Sequence, residues 1–415
     1  MTRCSILRFN RKDMSSPFSR RTLLQGATAL PIFYGSRARA AGRRFAYAGT
    51  YSSPEGPEGS RGNGQGIYQF EVNAETGELK QLALVANDQN PAWLSLHPSG
   101  KYLYSANETN HYEGQSSGSA GAYSIDRESG ELKLLNSISS QGTGPAHLSV
   151  HPSGKYVLVA NYAGGTIAVL SIKDNGELGE ATDVKKDQGT LGAKRATSAP
   201  PGSFAISGHD KPHGHMIQAE PGGKFVISTD LALDRVLVWS FDVQTGKLTE
   251  NEKGSISLPS GDGPRHFAFH PKNPWVYVLG EESSTLVVCE YSREDGGLQV
   301  KQTLSTLPKG FTGTNFTSEV VVSSDGKFVY AANRLHDSIA WFTVGKDGTL
   351  TFAGEAWTRG DYPRSFTIDP SGNFLYSCNQ RSDAIATFRI DRKSGEPKFT
   401  GQYTPVGTPG ILVFI

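Results

Sequence analysis

Apolar and polar residues alternate in short runs along most of this chain, and the runs are cut by Gly, Pro, Asn and Asp. That is the signature of half-buried β-strands joined by tight turns. One unit recurs: an apolar strand, a turn resembling His-Pro-Ser-Gly, and a second apolar strand ending in Ala-Asn or a relative. It reads LSLHPSGKYLYSAN from Leu94 and LSVHPSGKYVLVAN from Leu148, with further copies from Ile217, Phe267, Val320 and Phe366. The turns start at positions 97, 151, 220, 270, 323 and 369, which lie 54, 69, 50, 53 and 46 residues apart. A period near fifty with several strands per period predicts a propeller.

Two more strands complete each unit. In the second copy they are TIAVLSI from Thr166 and a run over Glu177–Asp183, joined by Lys173-Asp174-Asn175-Gly176. Asp, Asn and Gly at such joints tolerate the positive φ that hairpins need. Six units are complete, and the two ends together supply a seventh. Arg44–Ser52, Gly66–Val72 and Glu78–Ala86 match a second, third and fourth strand with no first. Thr408–Phe414 matches a first strand with nothing after it. The expected fold is therefore all-β, a seven-bladed β-propeller with four antiparallel strands per blade. The C-terminal strand closes the ring against the N-terminal three, which removes the free sheet edges.

Charge changes the picture at one end only. The whole chain has a formal charge of +1, but residues 1–40 carry eight Lys/Arg and the single acid Asp13. That leaves 33 basic against 39 acidic residues afterwards. A mildly acidic body lacks the basic footprint of a nucleic-acid binder. The early basic excess falls in Ser19-Arg20-Arg21-Thr22-Leu23-Leu24, followed by a short apolar stretch to Tyr34 and by Ala38-Arg39-Ala40. These features predict a twin-arginine signal peptide over 1–40, cut before a propeller over 41–415. The apolar stretch is shorter than the roughly 20 residues of a membrane span. The mature chain is expected to be a periplasmic or secreted monomer with no membrane anchor, having the twin-arginine export machinery as its one protein partner. Its two thiols, Cys289 and Cys378, have no C-x-x-C spacing and give neither a disulfide framework nor a thiolate metal site.

Candidate chemistry comes from aligning the repeats. At the entrance to the first, innermost strand one column reads Ala92, Ala146, His215, Arg265, Ser318, Arg364, Gly410. The next reads Trp93, His147, Met216, His266, Glu319, Ser365, Ile411. Innermost strands converge on the axis, so these positions ring one mouth of the channel with three histidines, two arginines and a carboxylate. Singly, each is as well read as a hydrogen-bonded turn residue; together they form a candidate site. His97, His151, His270 and Asp369 sit in the turn at the far end of the same strand and read as local backbone partners. His111 and His209 lie in insertions over 109–121 and 185–211, with no partner spacing. The pair His213 and His215 has H-x-H metal-ligand spacing, but only Glu319 joins it as a carboxylate, and no metal is expected.

These residues carry a resemblance. The Gly-Lys-x-x-Tyr/Val-x-x-x-Asn repeat, Pro212-His213-Gly214-His215, Gly263-Pro264-Arg265-His266, the segment Asn333–Ile339 and Tyr362-Pro363-Arg364 together resemble the propeller lactonase family. The likeness runs from about Phe45 to the end. Its best-known members hydrolyse 6-phosphogluconolactone without a bound metal or cofactor, which implies a lactone substrate and ester hydrolysis by water. On that reading Glu319, His147 or His266 takes the proton of water, and Arg265 stabilises the oxyanion. Arg334 and Arg364, with His213 and His215, bind the substrate's far end, where guanidinium forks suit a phosphate or carboxylate. With ordinary pKa values, a rate rising near pH 6.5 would identify an imidazole base, and a rate flat above pH 5 would identify Glu319. Phosphorylated sugars are mostly cytoplasmic, so export sets an unphosphorylated aldonolactone on equal terms beside the sugar phosphate that the resemblance implies. Two alternatives stand beside hydrolysis: a carboxymuconate-type lactonising enzyme using the same arginines, and a non-catalytic binding propeller that has no need of the ionisable mouth.

Overall fold

The computed structural model describes residues 43–54, 61–205 and 208–415, so the signal segment expected over 1–40 lies outside the described residues. Seven antiparallel sheets follow one another around an axis. Blade 2 is typical, with strands Pro91–Leu96, Tyr102–Asn107, Ser119–Ile125 and Leu132–Ser139 running from the axis outward. The innermost strands of blades 3 to 7 are Pro145–Val150, Gly214–Ala219, Pro264–Phe269, Thr317–Val322 and Pro363–Ile368. Blade 4 departs from the pattern only at its rim, where the fourth strand is split into Lys247–Glu250 and Ile256–Ser257.

Blade 1 closes the ring as the repeat predicts. Pro409–Phe414 lies innermost and pairs antiparallel with Phe45–Thr50, bringing Ala46 opposite Phe414 and Ala48 opposite Leu412. The strands are apolar on both faces because each blade is packed from both sides. In blade 5, Val276 and Val278 face the core shared with blade 4, while Tyr277 and Leu279 face the core shared with blade 6. A side-chain period of two thus sends alternate residues to opposite neighbours. Each fully buried Val, Leu or Phe in these layers contributes on the order of 1.5–3 kcal/mol.

Polar side chains fasten blade to blade. The turn histidines bond within their own turn, and they also reach across the gap. The Nε2 atoms of His97, His151 and His270 lie 2.9, 2.9 and 3.1 Å from the carbonyl oxygens of Gly154, Gly223 and Gly326 in the following blade. Those glycines have positive φ, and a Cβ at Gly326 would sit 2.5 Å from His270. The repeated Gly is therefore needed twice, for the turn and for the neighbour's imidazole. At the rim, Tyr376 Oη donates to the Gly77 carbonyl at 2.8 Å and so ties blade 7 to blade 1. Cys289 and Cys378 are buried free thiols in blades 5 and 7.

Candidate active site

All seven innermost strands slip register at the same place. The pairing shifts between Pro91 and Trp93, Pro145 and His147, Gly214 and Met216, Pro264 and Phe267, Thr317 and Val320, Pro363 and Ser365, and across Gly410 in blade 1. A bulge frees one or two residues from the ladder and re-aims their side chains. The freed residues are Ala92, Ala146, His215, Arg265 with His266, Ser318 with Glu319, Arg364 and Gly410. They include five of the six ionisable groups in the two aligned columns, and His147 follows directly after its blade's bulge.

On the axis, four rings pack together. His266 lies 5.0 Å from Trp93, 5.5 Å from His147 and 5.0 Å from His215, centroid to centroid, and Trp93 lies 4.7 Å from His147. His266 Nδ1 is 3.2 Å from Glu319 Oε1, which also accepts the Val320 N–H at 3.0 Å. The remaining His266 nitrogen, Nε2, is buried and has no hydrogen-bond partner, as does His215 Nδ1. The backbone N–H of Ile217 donates to His147 Nδ1 at 3.4 Å, which leaves the ring proton of His147 on Nε2. On the other side of this cluster, a cavity of about 490 Å³ runs down the axis between walls that include Leu148, Phe267, Val320 and Phe366. Trp93, His147 and Glu319 form part of its lining.

Burial controls the titration of this group. It drives all three imidazoles well below their ordinary pKa, helped by the positive charge of Arg265. Burial also pushes the Glu319 carboxyl up to about 8, against the opposing pull of Arg265 and the Val320 N–H. At neutral pH the His266–Glu319 contact therefore holds one proton. The expected pH signatures change place: the carboxylate, not an imidazole, titrates nearest neutrality.

Around the rings stands a layer of arginines and their partners. Arg265 is 1 % exposed; its Nε lies 2.9 Å from Glu281 Oε2, and its Nη1 donates to the Ser318 carbonyl. Arg334 meets the other oxygen of the same carboxylate, Nη2 to Glu281 Oε1 at 2.8 Å. It also donates to the Thr317 carbonyl at 2.9 Å and to Tyr362 Oη at 3.3 Å, with its guanidinium over the Phe316 and Tyr362 rings. Arg364 faces a different carboxylate, with Nη2 4.0 Å from Glu108 Oε2, an oxygen that also accepts the Tyr51 hydroxyl at 2.8 Å. Burial and the like charges of Arg364 and Arg334 lower Arg265 to about 10, so it stays cationic at neutral pH.

The structure thus brings His147, His215, Arg265, His266, Glu319 and Arg364 to one mouth. It sets two expected substrate-binding residues apart from the four rings. Arg334 stands in the arginine layer with Arg265, at the same 1 % exposure and on the same Glu281 carboxylate, and each of the two also donates to a backbone carbonyl. His213 precedes the strand, stacks on Tyr162 at 4.3 Å, and is bonded to the Tyr162 carbonyl and to Asp210. His215 meets the same Tyr162 ring edge-on at 5.3 Å, so the two imidazoles flank a tyrosine and do not converge on one ion. Asp337 serves the Tyr362 backbone N–H.

Sequence reasoning missed a third column. The residue after each second strand is Tyr51, Glu108, Tyr162, Leu231, Glu281, Arg334 or Gln380, and all but Leu231 are polar or aromatic. The repeat alignment carried this signal, one residue beyond the Ala-Asn that ends the unit.

Comparison with known proteins gives a consistent answer. The family model for a seven-bladed β-propeller lactonase matches residues 45–414. A 6-phosphogluconolactonase of Bacillus subtilis is 35% identical over 321 residues, covering 77% of this chain and 83% of its own. A 6-phosphogluconolactonase of Formosa agariphila is 31% identical, covering 73% of this chain and 82% of its own. Among solved structures, a periplasmic gluconolactonase of Pseudomonas aeruginosa superposes with a TM-score of 0.78 at 27% identity, covering 90% of this chain and 99% of its own.

Proposed function

The chain belongs to the seven-bladed β-propeller lactonase family and is a lactone-hydrolysing enzyme, and we propose that it opens an unphosphorylated aldonolactone at the His/Arg/Glu mouth after export from the cytoplasm. The observation that carries this is the His266–Glu319 pair, buried on the axis beside the cationic Arg265. With Glu319 ionised, the Nδ1–H of His266 points at the carboxylate, and the bare Nε2 is left to accept a proton from water. The hydroxide so formed adds to the lactone carbonyl, and Arg265 stabilises the oxyanion. The ring C–O bond then breaks, and the alkoxide recovers the proton from His266 to give the hydroxy acid. His147 shapes the water site, while Arg364 and His215 hold the sugar hydroxyls.

Charge at the mouth supports a substrate without phosphate. Among the described residues closing on the rings, Arg265, Arg334 and Arg364 face Glu108 and Glu281, with Glu319 protonated at neutral pH. The positive charge of Arg265 acts directly on His266 and Glu319. A neutral lactone develops one negative charge only in the transition state, where that charge accelerates the reaction. A phosphate dianion would engage it already in the ground state. The basic segment over 1–40 and the likeness to a periplasmic gluconolactonase support export.

The test is hydrolysis of D-glucono-1,5-lactone and of 6-phosphogluconolactone by purified residues 41–415, followed by acid release. The expected result is a higher kcat/KM for the unphosphorylated lactone and no loss on adding a chelator. Preference for the phosphorylated compound would remove the substrate assignment. Turnover of neither would remove the catalytic reading of the mouth.

A further inference from the structure

One imidazole lies outside this site with both nitrogens on carboxylates. His209 sits in the long connection between the last strand of blade 3, Leu178–Lys186, and the first strand of blade 4. Its side chain is fully buried. Nδ1 lies 3.1 Å from Glu282 Oε1, and Nε2 lies 3.3 Å from Asp234 Oδ1. Both nitrogens must donate to be satisfied, so the ring is an imidazolium. The two carboxylates raise its pKa to about 10, against the cost of burial.

The two anchors belong to the propeller frame. Asp234 follows the second strand of blade 4 and accepts the backbone N–H groups of Gly261 and Gly263. Glu282 follows Glu281, the carboxylate shared by Arg265 and Arg334. Before His209, the described residues of the same connection meet the frame through Gly192 to Ala232, Ala193 to Ser260, Ser198 to Asp262, and Pro201 and Phe204 to Gly313 and Thr314. It crosses from blade 4 toward blade 6 on the side of the mouth. Next to His209, Gly208 presses so closely on the site that a Cβ there would lie 2.5 Å from Tyr162 Oη and 3.0 Å from His213.

We propose that His209 is a positioning residue for lactone binding: a charged clamp that holds this connection against the Tyr162–His213 stack and so sets the geometry behind His215. It rests on the reading of the mouth as the lactone site. A charged clamp also explains the choice of residue. Removing the imidazolium leaves Asp234 and Glu282 buried without the cation between them, with Asp262 adding negative charge nearby. The connection is then expelled from its seat while the blades, packed by their own apolar layers, remain folded.

The test uses residues 41–415 carrying His209→Ala, with D-glucono-1,5-lactone as substrate. KM is expected to rise about tenfold or more with kcat nearly unchanged, because the clamp touches no reacting atom. Trypsin is expected to cleave faster after Lys194 and Arg195, which are exposed in the connection. Added imidazole, which can enter the vacated seat as a cation, should restore both, whereas pyrazole, of the same shape but neutral, should not. If His209→Ala does not fold, His209→Gln keeps one donor without the charge, and the same rise in KM is expected. Unchanged KM with unchanged cleavage in the folded variant overturns the clamp, and so does equal rescue by pyrazole. Faster cleavage in a protein that turns over no lactone, even unsubstituted, keeps the clamp and refutes the lactone site.

Discussion

On the proposed mechanism, Glu319 couples the chemistry of the mouth to the stability of the ring. Its carboxyl passes from an ordinary pKa of 4.5 in the unfolded chain to about 8 in the folded protein. Between those two values the folded protein holds a proton that the unfolded chain has released, so stability falls as pH rises from 4.5 through 8 and levels off above. That rise, at 1.36 kcal/mol per tenfold change in proton affinity, sets a ceiling of roughly 5 kcal/mol. Glu319 lines the open axial cavity, where solvent screening lowers the cost, so a loss on the order of 2–5 kcal/mol is expected. Glu319→Gln has the same shape, accepts the Val320 N–H and cannot ionise. The assay is the unfolding free energy from urea midpoints at pH 5 to 9 for both proteins, read as their difference so that all other groups cancel. The wild-type protein should lose ground steadily to Glu319→Gln up to pH 8. Its kcat/KM should rise over the same interval as the His266–Glu319 pair becomes a base, while the variant loses roughly 10²–10⁴-fold of its rate. Parallel stability curves across the whole range would show that the carboxyl ionises normally and would refute the account of the pair.

Two further outcomes test the frame around it. Deleting Pro409–Ile415 should unfold or aggregate the protein, because blade 1 loses its innermost strand and with it Ile411 and Leu412 from two cores; an unchanged melting temperature would mean that the ring closes in another way. Glu281→Gln leaves Arg265 and Arg334 buried without their shared carboxylate, so it should destabilise by about 3–5 kcal/mol in urea titration and lower kcat as well; wild-type stability would show that the two arginines have other support.

What the sequence alone determined was everything that repeats. A β-propeller satisfies the same local requirements seven times, so alternation, the His-Pro-Ser-Gly turn and the Asp/Asn-Gly joint made blade number, strand order and ring closure legible. The same alignment put His147, His215, Arg265, His266, Glu319 and Arg364 on one rim, since equivalent positions in a ring share a height on the axis. The comparison stopped one residue short of Glu281, and it could not rank Arg334 against Arg364, which differ in the carboxylate they face, Glu281 or Glu108, rather than in kind. That ranking depends on which blade's carboxylate lies opposite, a distance between segments far apart in the chain. His209 was unreadable for the same reason: its partners, Asp234 and Glu282, are 25 and 73 residues away, with no spacing rule linking them. Nor could residue type foretell that burial moves Glu319 up and the imidazoles down. A pKa records the dielectric and the charges around a group, and only the closed ring brings those together.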